Sequence, residues 1–122
     1  MNPLEKGRYG EQIAVGHLLS LGWSIRGRNV RVGGGELDIV AFDGREIVVV
    51  EVRLRSVGRL LPARESVGPR KLKILVRAGR SYVARLGWQG PWRIDLLAVT
   101  LDGRGGEPRV ELLADIAAGW PS

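Results

Sequence analysis

Apolar positions fall into two helical stripes separated by strand-like runs. From about Lys6 to Leu21, the residues Ala14, Val15, Leu18 and Leu21 recur on one arc at helical spacing, which predicts a first helix stopped by Gly22. A second stripe, Leu72, Leu75, Val76, Val83 and Leu86, predicts a second helix opened by Ser66 and Pro69. Trp23 to Val32, Glu36 to Phe42 and Glu46 to Arg53 read as strands, the last two rich in Ile and Val. Arg93 to Leu101 reads as a further strand and Arg109 to Ile116 as a short last one. The order is helix, three strands, helix, then one or two strands, an α/β chain with a mixed central sheet flanked by helices. A helical crossover between the third and fourth strands implies a parallel pair in an otherwise antiparallel sheet.

Turn chemistry then sets the register. Glycines gather at Gly33-Gly34-Gly35, at Asp43-Gly44 and at Asp102-Gly103-Arg104-Gly105-Gly106, and Asp43-Gly44 is a strong hairpin signal. If those two residues form the loop, Phe42 faces Arg45, Asp38 faces Val49 and Glu36 faces Glu51. Glu36, Asp38, Glu51 and Arg53 would then project from one face, with three carboxylates converging. Like charges set opposite each other destabilise a sheet by up to about 1 kcal/mol, and a cation between them removes the conflict. Short, rigid carboxylates suit Mg²⁺. A three-residue loop would instead put Asp38 and Glu51 on opposite faces. Glu11 lies in the middle of the first helix's apolar arc, where its carboxylate would reach the mouth of the same site. The alternative is a helix that begins after Glu11, with the side chain assisting the first turn.

Composition narrows the chemistry. With 122 residues, 44% of them hydrophobic and 26% charged, the chain is expected to form one globular domain over residues 1–122. No apolar run approaches the roughly 18 residues that span a bilayer, and the N-terminal segment has no signal-peptide core, so no membrane partner and a cytoplasmic location are expected. The absence of cysteine and the single histidine, His17, exclude disulfides, thiolate metal sites and most nucleophilic triads. Any metal must be held by oxygen. The net charge of +6 favours a polyanion partner. Between Arg53 and Arg85 stand ten basic residues, Arg59 among them, against the lone Glu65. Arg55, Arg70, Lys71, Lys73, Arg77 and Arg80 are the candidate phosphate contacts, the last three at helical spacing opposite the apolar stripe. A solvated basic face without a ligand is the alternative.

Other signals carry less. Gly33-Gly34-Gly35 lacks a G-K-[ST] ending and precedes a strand, so it is not a phosphate loop. Trp23, Trp88, Trp92 and Trp120 are scattered and fit packing as well as base stacking. Arg93 and Asp95 alternate along one strand face and would form an ion pair.

Gly35-Glu36-Leu37-Asp38 followed by Glu51-Val52-Arg53-Leu54-Arg55 resembles the G-E-[IL]-D … E-V-K-x-R signature of the YraN family, an endonuclease-like group of the PD-(D/E)XK nuclease superfamily. Gly10-Glu11, Asn29, Lys71 and Arg93-Ile94-Asp95 match further motifs of that family. The resemblance implies a restriction-endonuclease-like core and a metal-dependent nuclease acting on DNA, with distant similarity to archaeal Holliday-junction resolvases. It makes Asp38 and Glu51 ligands of Mg²⁺ or Mn²⁺, Glu11 an auxiliary ligand, and Glu36 a supporting acid behind them. By analogy with the resolvases a homodimer is implied. The chain departs from the signature at Arg53, where the family has lysine. Arginine keeps its proton at any physiological pH, so Arg53 would hold phosphate and stabilise transition-state charge rather than act as a base. A non-catalytic nucleic-acid-binding module is the alternative class, and a protein-interaction domain leaves the charge asymmetry unexplained.

Overall fold

The computed structural model describes residues 1–58 and 61–119; Arg59 and Trp120 lie outside them. The elements run α1 (Pro3–Ser20), β1 (Ser24–Val32), β2 (Gly35–Phe42), β3 (Ile47–Ser56), a 3₁₀ turn (Ala63–Ser66), α2 (Pro69–Leu86), β4 (Trp92–Leu101) and β5 (Arg109–Leu113). The strands form one five-stranded sheet in chain order, with β3 and β4 parallel and every other pair antiparallel. This is the expected order, including both terminal strands.

Helix α1 begins three residues before the sequence pattern predicts. Asn2 caps it by accepting the Glu5 N–H at 2.8 Å and donating to the Glu5 carboxylate at 3.0 Å, and Pro3 occupies the first turn. Glu11 is therefore a mid-helix residue, not a first-turn carboxylate. Ser66 does not open α2: it closes the 3₁₀ turn, its hydroxyl donating to Ala63 O at 2.6 Å, and Gly68 is the cap. Leu21 and Leu86, expected on the apolar stripes, are exposed because each stands at the C-terminal end of its helix, beyond the cover of the sheet. Strand β5 stops at Leu113 rather than Ile116; Asp115 takes a left-handed φ of 57°, and Ile116 N–H turns back to Ile94 O at 2.8 Å.

The sheet is a wall between two apolar layers. Ala14 and Leu18 of α1 pack with Ile39, Ala41, Val48, Val50, Leu97 and Val99 on one side. Leu75, Val76 and Ala78 of α2 pack with Leu37, Val40, Val49, Ile94 and Leu96 on the other. The run Ile47-Val48-Val49-Val50 is buried throughout because both of its faces are covered, as a central strand beside a parallel neighbour requires.

The register of the β2–β3 hairpin differs from the two-residue expectation. Phe42 pairs with Ile47, not Arg45, and Ile39 with Val50, so the loop is the four residues Asp43 to Glu46. The Asp43 carboxylate accepts the N–H groups of Arg45 and Glu46 at 2.8 and 2.7 Å, which holds the wider turn. A shift of two residues preserves side-chain parity but changes partners: Asp38 no longer lies across from Val49, nor Glu36 from Glu51.

Candidate metal and nucleic-acid site

The acid pair is created where β2 and β3 part. Their ladder ends at Ile39 and Val50, and strand alternation fails at the next residue, because Leu37 packs in the α2 layer while Ile39 packs in the α1 layer. On β1 the facing residue, Asn29, takes a left-handed φ of 51°. Asp38 reaches sideways across the opened gap and accepts the Val52 N–H at 2.9 Å, replacing a ladder bond with its carboxylate. Glu51, on the adjoining strand, is 3% exposed.

Two cations attend Glu51. Its Oε2 lies 3.0 Å from Arg53 Nη2 and 3.8 Å from Lys71 Nζ, while its buried Oε1 has no hydrogen-bond partner, and neither has Arg53 Nε. Burial first, then the Asp38 charge and a hydrogen bond shared with it, push the Glu51 carboxyl from 4.5 up to about 7, against the opposing pull of Lys71 and Arg53. A buried carboxyl with one oxygen unpartnered, beside the half-buried Asp38, fits a divalent cation held between the two acids.

The raised value carries a stability consequence with a definite sign. A carboxyl whose folded pKa exceeds its unfolded one favours folding below pH 4.5, and that contribution is lost as pH rises toward 7. Glu51→Gln is therefore expected to stabilise the metal-free protein at pH 8 by up to about 3 kcal/mol, several degrees in Tm, with little gain at pH 5. Melting curves in EDTA at the two pH values check this; a gain that shrinks as pH rises would contradict it.

The four acids expected at the site are not all brought together. Among the described residues no three carboxylate or imidazole groups stand at metal-binding spacing. Glu11 is held by Arg28 Nε and Asn29 Nδ2, each 3.0 Å from its Oε1. Glu36 is drawn to Arg31 at 3.4 Å. Both share with Asp38 the walls of a cleft of about 590 Å³, and Glu51 is buried behind it. The expected convergence thus reduces to the pair Asp38 and Glu51, because the other two acids have arginine partners on β1.

The basic candidates also divide. Arg70, Lys73, Arg77 and Arg80 lie on the exposed side of α2. Arg77 additionally donates to Gly33 O at 2.9 Å, tying α2 to the β1–β2 turn. Arg55 donates to Leu61 O, and Lys71 turns inward to Glu51. The inward turn of Lys71 was not legible in the sequence, since only the placement of α2's first turn beside β3 reveals it.

Arg93 is more than half of an ion pair. It bonds Asp95 at 2.9 Å, Asp43 at 2.9 Å and Glu46 at 2.5 Å, and lies over the Trp23 ring at 5.5 Å. Burial alone would lower its pKa, but the bonds to Asp95, Asp43 and Glu46 outweigh that and raise it. Asp43 in turn is held below its ordinary value: burial would raise it, and the Glu46 and Arg45 N–H groups and Arg93 prevail.

Sheet, helices and acid pair together define an α/β protein with a carboxylate site at the parting of two antiparallel strands. A family model described as uncharacterised protein family UPF0102 matches residues 10–99, a span that includes Glu11, Asp38, Glu51 and Arg93. The chain belongs to this family, the YraN family of the sequence motifs. It is 43% identical over 117 residues to a UPF0102 protein of Pseudarthrobacter chlorophenolicus, covering 95% of this chain and 87% of that one. A UPF0102 protein of Porphyromonas gingivalis is 40% identical over 107 residues, covering 88% and 79%. One from Arthrobacter sp. is 40% identical over 111 residues, covering 90% and 93%. No helix among the described residues is long and apolar enough to cross a membrane.

Proposed function

We propose that this protein is a Mg²⁺- or Mn²⁺-dependent DNA endonuclease, with Asp38 and Glu51 holding the cation. The observation that carries the reading is the buried Glu51 carboxyl beside Asp38, with Glu51 Oε1 lacking a hydrogen-bond partner. A cation bound there would supply Lewis-acid activation of water and neutralise charge developing on a phosphodiester.

The remaining roles fall to groups of fixed charge. Arg53, anchored on Glu51, holds a non-bridging phosphate oxygen and stabilises the negative charge that builds on it. Lys71 brings a second cation to the same carboxylate from α2, where the usual lysine of the strand is replaced by Arg53. The exposed Arg70, Lys73, Arg77 and Arg80 contact the backbone of the DNA without reading its sequence. Glu11, itself held by Arg28, takes the part of a positioning residue that fixes Asn29 at the cleft.

Cleavage of a panel of single-stranded, duplex, flap and four-way DNA substrates, with Mg²⁺, Mn²⁺ or EDTA, tests the reading. Cation-dependent cutting is expected. Arg53→Lys is expected to cut at least as fast as the native chain, because lysine retains the positive charge at the same place; clearly slower cutting would overturn the role given to Arg53. The arginine at this position also favours a second reading, a nucleic-acid-binding protein without turnover, for which DNA binding without cutting in either metal would be the result.

A further inference from the structure

Residues Gly7, Gly10, Ala14 and Leu18 follow one another at helical spacing along the inward side of α1. Ala14 and Leu18 are completely buried on the sheet. At Gly10 a methyl group would touch Leu54 at 3.6 Å, so the helix still rests on β3. At Gly7 a methyl group would meet nothing within 4 Å. The first two turns of α1 therefore overhang the sheet and roof the cleft of about 590 Å³ that ends at Asp38.

The lining has four characters. Val52 and Leu54 are its apolar part, Arg8 and Arg31 its basic part, Asn29 presents an amide fixed by Glu11, and three carboxylates complete it: Glu11 and Glu36, each with an arginine partner, and Asp38. Such a volume is within the roughly 300–1,000 Å³ of small-molecule pockets and far below what a double helix needs. From this geometry we infer that the cleft takes one unpaired nucleotide of a DNA strand, its base on Val52 and Leu54 beneath the bare Gly7 and its phosphates against Arg8 and Arg31. The substrate is then DNA with an unpaired nucleotide at the site, at a single-stranded tract, a flap or a branch, rather than continuous duplex. The inference rests on the nucleic-acid part of the proposed function and not on hydrolysis.

Fluorescence anisotropy in EDTA, with a labelled single-stranded oligodeoxynucleotide and a closed dumbbell duplex of the same sequence, tests it without cutting. Gly7→Leu fills the space under the helix roof, and leucine is the better helix former, so the fold is expected to hold. Gly16→Leu, at an exposed and open position on the same helix, is the control. Gly7→Leu should weaken single-strand binding about tenfold or more, while its duplex binding and both affinities of Gly16→Leu stay within about twofold of native. Arg31→Glu, at a side chain 88% exposed and thus without cost to the core, should show the same selective loss. If Gly7→Leu and Arg31→Glu bind the single strand as the native chain does, or lose both DNA forms in equal measure, the inference is overturned. A native chain that binds neither DNA form would overturn the proposed function together with it.

Discussion

Replacement of Arg93 by alanine is expected to cost about 3–5 kcal/mol of stability, against the roughly 5–15 kcal/mol that folded domains possess, and to lower Tm by on the order of 10–25 °C. The cause is what the substitution leaves behind. Asp95 is fully buried, and its remaining contact is the Asp115 N–H at 2.9 Å, so its charge would be stranded in the sheet. Asp43 and Glu46, brought against each other by the turn, would lose the guanidinium that stands between them. Urea or thermal unfolding of Arg93→Ala checks the magnitude, and Arg93→Ala combined with Asp95→Asn should recover part of the loss because the stranded charge is gone. A loss below about 1 kcal/mol would show that Arg93 does not hold the turn.

That same arginine explains which part of the site was legible in the sequence. The periodicity of Ala14 and Leu18, of Leu72, Leu75 and Val76, and the Ile/Val runs of β2 and β3 each report which side of an element meets the core, so the order of elements and the parallel β3–β4 pair followed directly. The length of the β2–β3 turn did not follow. Asp43-Gly44 has the local chemistry of a two-residue turn, but Arg93, 50 residues downstream, clamps Asp43 and Glu46 from β4 and favours the wider loop. Because the register moved by two residues rather than one, Asp38 and Glu51 still meet. Alternation along β2, however, breaks at Asp38 itself, where the strands part, and no period-two pattern describes a residue whose side chain replaces a ladder bond. Glu11 and Glu36 do line the cleft with Asp38, but their arginine partners, Arg28 and Arg31, were not legible, because they sit on β1, which was read only as a strand.

The second large effect is the one expected from the proposed metal site, loss of its cation. Asp38 and Glu51 are the two charged oxygen ligands the pair offers, and removal of even an outer-shell partner typically weakens a metal site about 10–100-fold, so loss of either carboxylate is expected to weaken binding by about 100-fold or more. Cutting should fall by about a thousandfold or more with it, since a catalytic cation is worth several kcal/mol to the transition state. In Asp38→Ala the Val52 N–H also loses its acceptor, a modest separate cost of about 1–3 kcal/mol that a melting curve in EDTA isolates from the metal effect. Glu51→Gln lacks that complication, and at pH 8 it should be more stable than the native chain without metal yet gain nothing when metal is added, whereas the native chain gains by mass action.

Calorimetric titration of Mn²⁺ into the native protein, Asp38→Ala and Glu51→Ala at pH 8 bears most directly on the acid pair. Saturable binding of one cation by the native chain, with no measurable heat of binding from either variant, is the expected result. A native chain that binds no cation, or variants that bind it as the native chain does, would contradict a metal site at Asp38 and Glu51.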